Sequence, residues 1–187
     1  MEACLVMISG CCGGGKSTLV AELARLGFAT VAEPGRRILA EERSGDGRAL
    51  PWIDPAAFGK RALAMSVADH EAARGLTFFD RGVVDAGVAI VAARGERPSA
   101  ILDRYRYHRL FLAPPWPEIY VNDEDRRHSF EKAMADYERV RSAYRDSGYE
   151  PVLIPRGTPK ERADFLLAAL GAKVAEGRAG AGRPVVP

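Results

Sequence analysis

Apolar residues in this chain fall into short continuous runs at positions 4–9, 28–32, 76–79, 110–113 and 152–154. Runs of that length without polar alternation are the pattern of strands buried on both faces, as in a parallel sheet covered by helices. The stretches between them carry helical signals. Leu19, Val20, Leu23 and Leu26 are spaced along one helix face, which predicts a helix over 17–26 that Gly27 stops. Asp54 as cap, Pro55 in the first helical position and Gly75 as stop predict a second helix. A third, from 130 to about 145, shows a thin apolar seam between charged flanks. Thr158, Pro159 and Glu161 supply a capping box and an N-terminal proline for a last helix, whose apolar face is Phe165, Leu166, Leu167 and Leu170. This alternation predicts an α/β fold in three layers: about five mostly parallel strands with helices on both faces.

Length and charge narrow the reading. The 187 residues, 47% hydrophobic, suffice for one core, here placed in residues 1–173. Residues 174–187, rich in Gly, Ala, Arg and Pro, lack core-forming side chains and are expected to be a flexible tail. Twenty-seven basic against 25 acidic residues leave a net charge of +2, too weak a field for extended nucleic acid or an anionic membrane. No apolar stretch approaches the roughly 20 residues that span a bilayer. Cys4, Cys11 and Cys12, an odd set within the first dozen residues, are no disulfide framework, and cytoplasmic residence is expected. His70, His108 and His128 have no metal-ligand spacing. Trp52, Trp116, Tyr105 and Tyr107 read as packing residues rather than a base-stacking platform.

The chemistry is concentrated after the first strand. Gly10-Cys11-Cys12-Gly13-Gly14-Gly15-Lys16-Ser17 satisfies G-x-x-x-x-G-K-[ST] and lies between a buried strand and an amphipathic helix. Glycines let the backbone turn its N–H groups inward as an anion nest, and the helix N-terminus adds positive potential. Residues 10–18, Thr18 included, are therefore expected to bind ATP, with Lys16 on the β- and γ-phosphates and Ser17 on Mg²⁺. Cys11 and Cys12 sit where a thiol pKa is lowered; they are either a redox gate or simply small residues in variable loop positions.

Other polar residues follow the later strands, where an open α/β sheet places its ligand crevice. Asp80, ending the run 76–79, is the candidate second Mg²⁺ ligand, with a turn cap or a pair with Arg81 as its alternative. Glu33 ends the second strand and either accepts a proton from an attacking hydroxyl or pairs with Arg36 or Arg37 at a helix start. Arg36, Arg37, Arg81 and Asp85 are, with Glu33, the candidate acceptor-binding residues. Arg126 and Arg127 are candidate lid cations that neutralise transition-state charge, or else part of a solvated helix entry. Arg156, after the fifth strand, is the candidate for a loop that holds adenine.

Taken with residues 32–38, 79–85, 114–120, 122–126 and 149–155, the phosphate loop resembles that of small bacterial P-loop proteins labelled AAA-domain ATPases. These are related to the ribosylnicotinamide kinase domain and more distantly to nucleoside and nucleoside-monophosphate kinases. The resemblance spans most of residues 3–170 and implies a kinase-like core, an acceptor pocket between Glu33 and the Asp80-Arg81 segment, and an arginine-bearing lid. Nothing after residue 170 reads as the helical domain of a ring-forming motor. No long or Cys-rich lid insertion is present, which favours a small neutral or cationic acceptor over a mononucleotide. The expected activity is ATP-dependent phosphoryl transfer to a hydroxyl of a small, nucleoside-like molecule; the alternative is a regulatory NTPase that switches a protein partner. No feature assigns such a partner, or a homo-oligomer.

Overall fold

A computed structural model describes residues 4–45, 47–95, 97–122 and 129–171. The five apolar runs become β1 (Cys4–Gly10), β2 (Ala29–Val31), β3 (Leu76–Asp80), β4 (Arg109–Ala113) and β5 (Val152–Leu153). They form one sheet in the order β2-β3-β1-β4-β5, with every neighbouring pair parallel. The chain leaves β1 toward one edge and β4 toward the other, so their carboxyl ends open a crevice.

Among the described residues seven α-helices accompany the strands: α1 (Lys16–Arg25), α2 (Pro34–Ser44), α3 (Pro55–Ala72), α4 (Val83–Arg94), α5 (Ser99–Arg104), α6 (Phe130–Asp146) and α7 (Pro159–Leu170). The expected caps of α3 and α7 form: Asp54 accepts from the Ala56 and Ala57 N–H groups, and Thr158 and Glu161 close their capping box. Helix α4 carries no sequence signal of its own because it is apolar nearly all round, from Val83 and Val84 to Ile90 and Val91, as a helix packed between sheet and other helices must be.

Because successive strand residues face opposite ways, Phe78 and Phe79 enter different cores. Phe78 joins Val6, Ile8, Phe111 and the apolar faces of α1 and α7. Phe79 joins Met7, Leu112 and residues of α2, α3, α4 and α6. Burying each ring fully stabilises the fold by roughly 2–3 kcal/mol, so the sheet is clamped from both sides. No helix among the described residues is long and apolar enough to cross a membrane. The expected tail and the candidate lid cations Arg126 and Arg127 lie outside the described residues.

Candidate functional site

At the carboxyl end of β1 the backbone must reverse within a few residues. Gly10 (φ 117°), Gly13 (φ 77°) and Gly15 (φ 70°) occupy the left-handed region that favours glycine. At Gly15 a Cβ would come within 2.5 Å of the Arg162 guanidinium, and at Gly13 within 2.6 Å of the Tyr120 ring. The loop therefore wraps Lys16, whose Nζ donates to the Cys11 carbonyl at 2.8 Å. Burial, and then the nearby Arg81 cation, pull the Lys16 ammonium below its ordinary value; Asp80 and Glu33 oppose them. Such an ammonium is desolvated, and Lys16 lines the cleft beside the loop.

Ser17 Oγ donates to Asp80 Oδ2 at 3.0 Å, so the first residues of α1 meet the end of β3. Asp80 is 2% exposed, and its Oδ1 has no hydrogen-bond partner among the described residues. Burial, and then the Glu33 charge, push its carboxyl up to about 6, against the pull of Lys16 and Arg81. A buried carboxylate oxygen without a donor costs free energy unless something positive meets it, and this donor set of hydroxyl and carboxylate suits a hard divalent cation.

Two clefts flank this point. The first, about 520 Å³, is lined by Gly13, Gly15, Lys16, Ser17, Thr18 and, across from them, Trp116, Ile119, Gly157, Pro159 and Arg162. The second, about 310 Å³, runs between α2, α3, α4 and α6 and is walled by Leu39, Phe58, Val88, Tyr137 and Val140. Cys12, Glu33, Arg36 and Arg81 line both, so the two clefts meet at Glu33. A smaller recess of about 180 Å³ continues past Glu33 among Pro34, Phe58, Ala62, Ala86 and Ala89.

Arg81 organises the junction. It is a non-glycine residue with φ 64°, a conformation that costs on the order of 1–3 kcal/mol and is kept only where the surroundings over-determine it. Its N–H donates to the Ile8 carbonyl at 3.0 Å. Its side chain faces Glu33 Oε1 at 3.0 Å from Nε, Asp85 Oδ1 at 2.9 Å from Nη1, and the Gly10 carbonyl at 3.3 Å from Nη2. Burial works to lower the guanidinium's pKa, but Glu33 and Asp85 outweigh it and raise it.

Three of the expected binding residues take other places. Arg37 turns away from the crevice and pairs with Asp69 of α3 at 2.6 Å, because it sits on the side of α2 that faces α3. Asp85 lines the second cleft, but both its oxygens are occupied by protein donors, so it is not free to hold an acceptor. Arg156 pairs with Glu118 at 3.3 Å and donates to the Pro115 carbonyl at 3.0 Å, leaving Gly157 and Pro159 to form the cleft wall. Within the loop, Cys11 is buried with its thiol 3.6 Å from the Ala133 carbonyl, and Thr18 Oγ1 donates to Gly15 at 2.9 Å. Arg36 approaches Glu33 at 3.7 Å. Among the described residues no group of His, Cys, Asp and Glu side chains forms a separate metal site.

One residue had no part in the sequence reading. Arg162, 2% exposed on α7, donates to the Gly15 and Gly14 carbonyls, both at 2.9 Å, and lies 5.6 Å from the Trp116 ring centre. It ties the phosphate loop to the opposite wall of the first cleft. Its signal was positional: it precedes Phe165 and Leu166 by three and four residues, on the buried face of α7.

The fold is that of P-loop kinases. Shikimate kinase from Acinetobacter baumannii, solved with shikimate, aligns at TM-score 0.59 and 16% identity over 91% of this chain and 94% of its own. NadR protein, solved with NR, aligns at TM-score 0.68 and 18% identity over 96% of this chain, which spans only 54% of NadR. Deoxyadenosine kinase from M. mycoides, solved with dCMP and a flexible dCDP, aligns at TM-score 0.60 and 13% identity over 89% and 98% of the two chains. No curated protein matches the sequence. The model of an AAA-domain family does match, over residues 5–162, and takes in β1 with its phosphate loop, the whole sheet and the start of α7: the chain belongs to that family.

Proposed function

We propose that this chain is an ATP-dependent phosphotransferase acting on a hydroxyl group of a small, nucleoside-like acceptor. The observation that carries the reading is the position of Glu33 where the phosphate-loop cleft and the second cleft meet. A carboxylate between a phosphate site and a separate pocket is placed to take a proton from an attacking hydroxyl, a group that hydrolysis does not need. Kinase neighbours of the same fold support it.

On this reading Lys16 and the loop N–H groups hold the β- and γ-phosphates, and Trp116 and Arg162 border the nucleotide's far end. Ser17 and Asp80 are the residues that would hold Mg²⁺. Bound Mg·ATP supplies the phosphoryl group, with the metal offsetting phosphate charge. The recess beside Glu33, walled by Pro34, Phe58, Ala62, Ala86 and Ala89, suits a flat neutral ring, with the acceptor hydroxyl directed at Glu33. Arg36, at the mouth, meets polar groups of the acceptor.

The test is ADP release from Mg·ATP with and without deoxyadenosine, nicotinamide riboside, shikimate, sugars and amino alcohols, with Lys16→Ala as blank. Stimulation by one acceptor is the expected result. Slow release that no acceptor changes overturns the kinase reading in favour of a nucleotide-dependent switch.

A further inference from the structure

Asp85 stands in the first turn of α4 and receives four donors. Ser9 Oγ (2.5 Å) and Arg81 Nη1 (2.9 Å) reach its Oδ1, while Tyr144 Oη (2.6 Å) and the Gly82 N–H (3.2 Å) reach its Oδ2. A carboxylate so occupied has its two oxygens fixed and cannot turn without breaking bonds. Tyr144 comes from the far end of α6 and is completely buried. Burial, and then the Asp85 charge, hold its phenol well above the ordinary range, so it remains a donor. The network thus runs from α6 through Asp85 to Arg81, and from Arg81 to both Glu33 and the first residue of the phosphate loop.

Arg81 donates from Nη1 to Asp85 and from Nη2 to the Gly10 carbonyl, while its Nε lies 3.0 Å from Glu33 without forming a hydrogen bond. Without the claim of Asp85 on Nη1, the guanidinium is free to fork onto Glu33, the geometry arginine and carboxylate prefer. We propose that Asp85, held by Tyr144 and Ser9, is a positioning residue that keeps Arg81 from clamping Glu33 and so leaves the Glu33 carboxylate open to the acceptor cleft. Its functional meaning rests on reading Glu33 as the proton acceptor; its structural content does not.

The test uses the full chain and the variants Tyr144→Phe and Asp85→Asn. The first keeps the ring's volume in the core and removes only the donor. In protein carrying ¹⁵N-labelled arginine, the Arg81 Nε–H signal is assigned by its loss in Arg81→Lys, and its exchange with water is measured. Both variants are expected to slow that exchange by about tenfold or more, because the Nε–H has no hydrogen-bond acceptor among the described residues of the parent and gains one when the guanidinium forks onto Glu33, with ADP affinity within about threefold of the parent. Turnover with any acceptor that stimulates ADP release falls by about 10- to 100-fold at constant KM for ATP. A role confined to packing α6 on α4 lowers Tm but leaves Arg81 exchange as fast as in the parent, and that result overturns the inference. If Asp85→Asn does not fold, Tyr144→Phe decides. Failure of the kinase reading registers separately, as ADP release that no acceptor alters while the Arg81 signal still responds.

Discussion

The two ends of the crevice are built by opposite means. At the phosphate end, the proposed recognition falls to one continuous segment, Gly10 to Thr18, through its backbone N–H groups and single lysine. At the acceptor end, the walls come from α2, α3, α4 and α6, and Leu39, Phe58, Val88 and Val140 meet there only because the sheet order brings their helices together. A site made of backbone is fixed chiefly by glycine placement and draws on few side chains from the rest of the chain, here Arg81 and Arg162. A site made of side chains on four elements can change ligand by changing a few surface-facing residues while the fold stays as it is.

If that division holds, substitutions at the two ends affect different quantities. Lys16→Ala is expected to have the largest effect, a loss of ATP affinity of about 100-fold or more measured by calorimetry, because a buried cation facing phosphate is removed. Undiminished ATP binding in that variant would contradict the phosphate-loop assignment. Glu33→Gln, at the junction, is expected to lower turnover by about 100-fold while nucleotide affinity changes only a few-fold. Equal loss of both would make Glu33 a structural ion-pair partner and erase the boundary between the ends.

The same division governs what was legible in the sequence. The phosphate loop and the strand-end acids Glu33 and Asp80 were visible because their chemistry is local: a contiguous motif, or a carboxylate closing an apolar run. Helix α4 was not, since a helix apolar nearly all round has no period to detect. Arg37 and Arg156 look like site cations in sequence because they flank strand ends, and only the packing of α2 on α3 and the Glu118 pair show where they go. Asp85 looks like a site acid in sequence yet has no free oxygen, whereas Arg162 carries no site motif yet reaches back 147 positions to Gly15.

Arg162 sharpens the comparison, because it is a side chain from outside the loop that holds two of the loop's carbonyls. Arg162→Met keeps the apolar stem but leaves the Gly14 and Gly15 carbonyls without their donors. ATP affinity is expected to fall by about tenfold and Tm by several degrees, as for the loss of two buried charged hydrogen bonds. Arg162→Lys should recover only part of this, since one ammonium does not reproduce a fork aimed at two carbonyls. Full affinity in the methionine variant would mean that the loop shape is set by glycines alone.

The smallest expected effect separates binding from stability at a single atom pair. Asp80 has its carboxyl pushed from 3.8 in a free chain up to about 6 in the fold, so between those values the folded protein holds a proton the unfolded one lacks. Stability therefore falls as pH rises from about 4 to 6 and stays low above, because the ionised carboxylate is buried beside Glu33 with only Lys16, Arg81 and Ser17 to offset it. Asp80→Asn removes that charge, and without nucleotide the variant is expected to be more stable than the parent at pH 7 by roughly 1–3 kcal/mol. The gap in Tm should narrow toward pH 4, where both side chains are neutral. Adding Mg·ATP should reverse the order, since only the parent carries the carboxylate that suits the metal and gains its binding free energy. A Tm gap that ignores pH, or an asparagine variant that Mg·ATP stabilises as much as the parent, would remove Asp80 from the metal and leave it a buried structural acid at the end of β3.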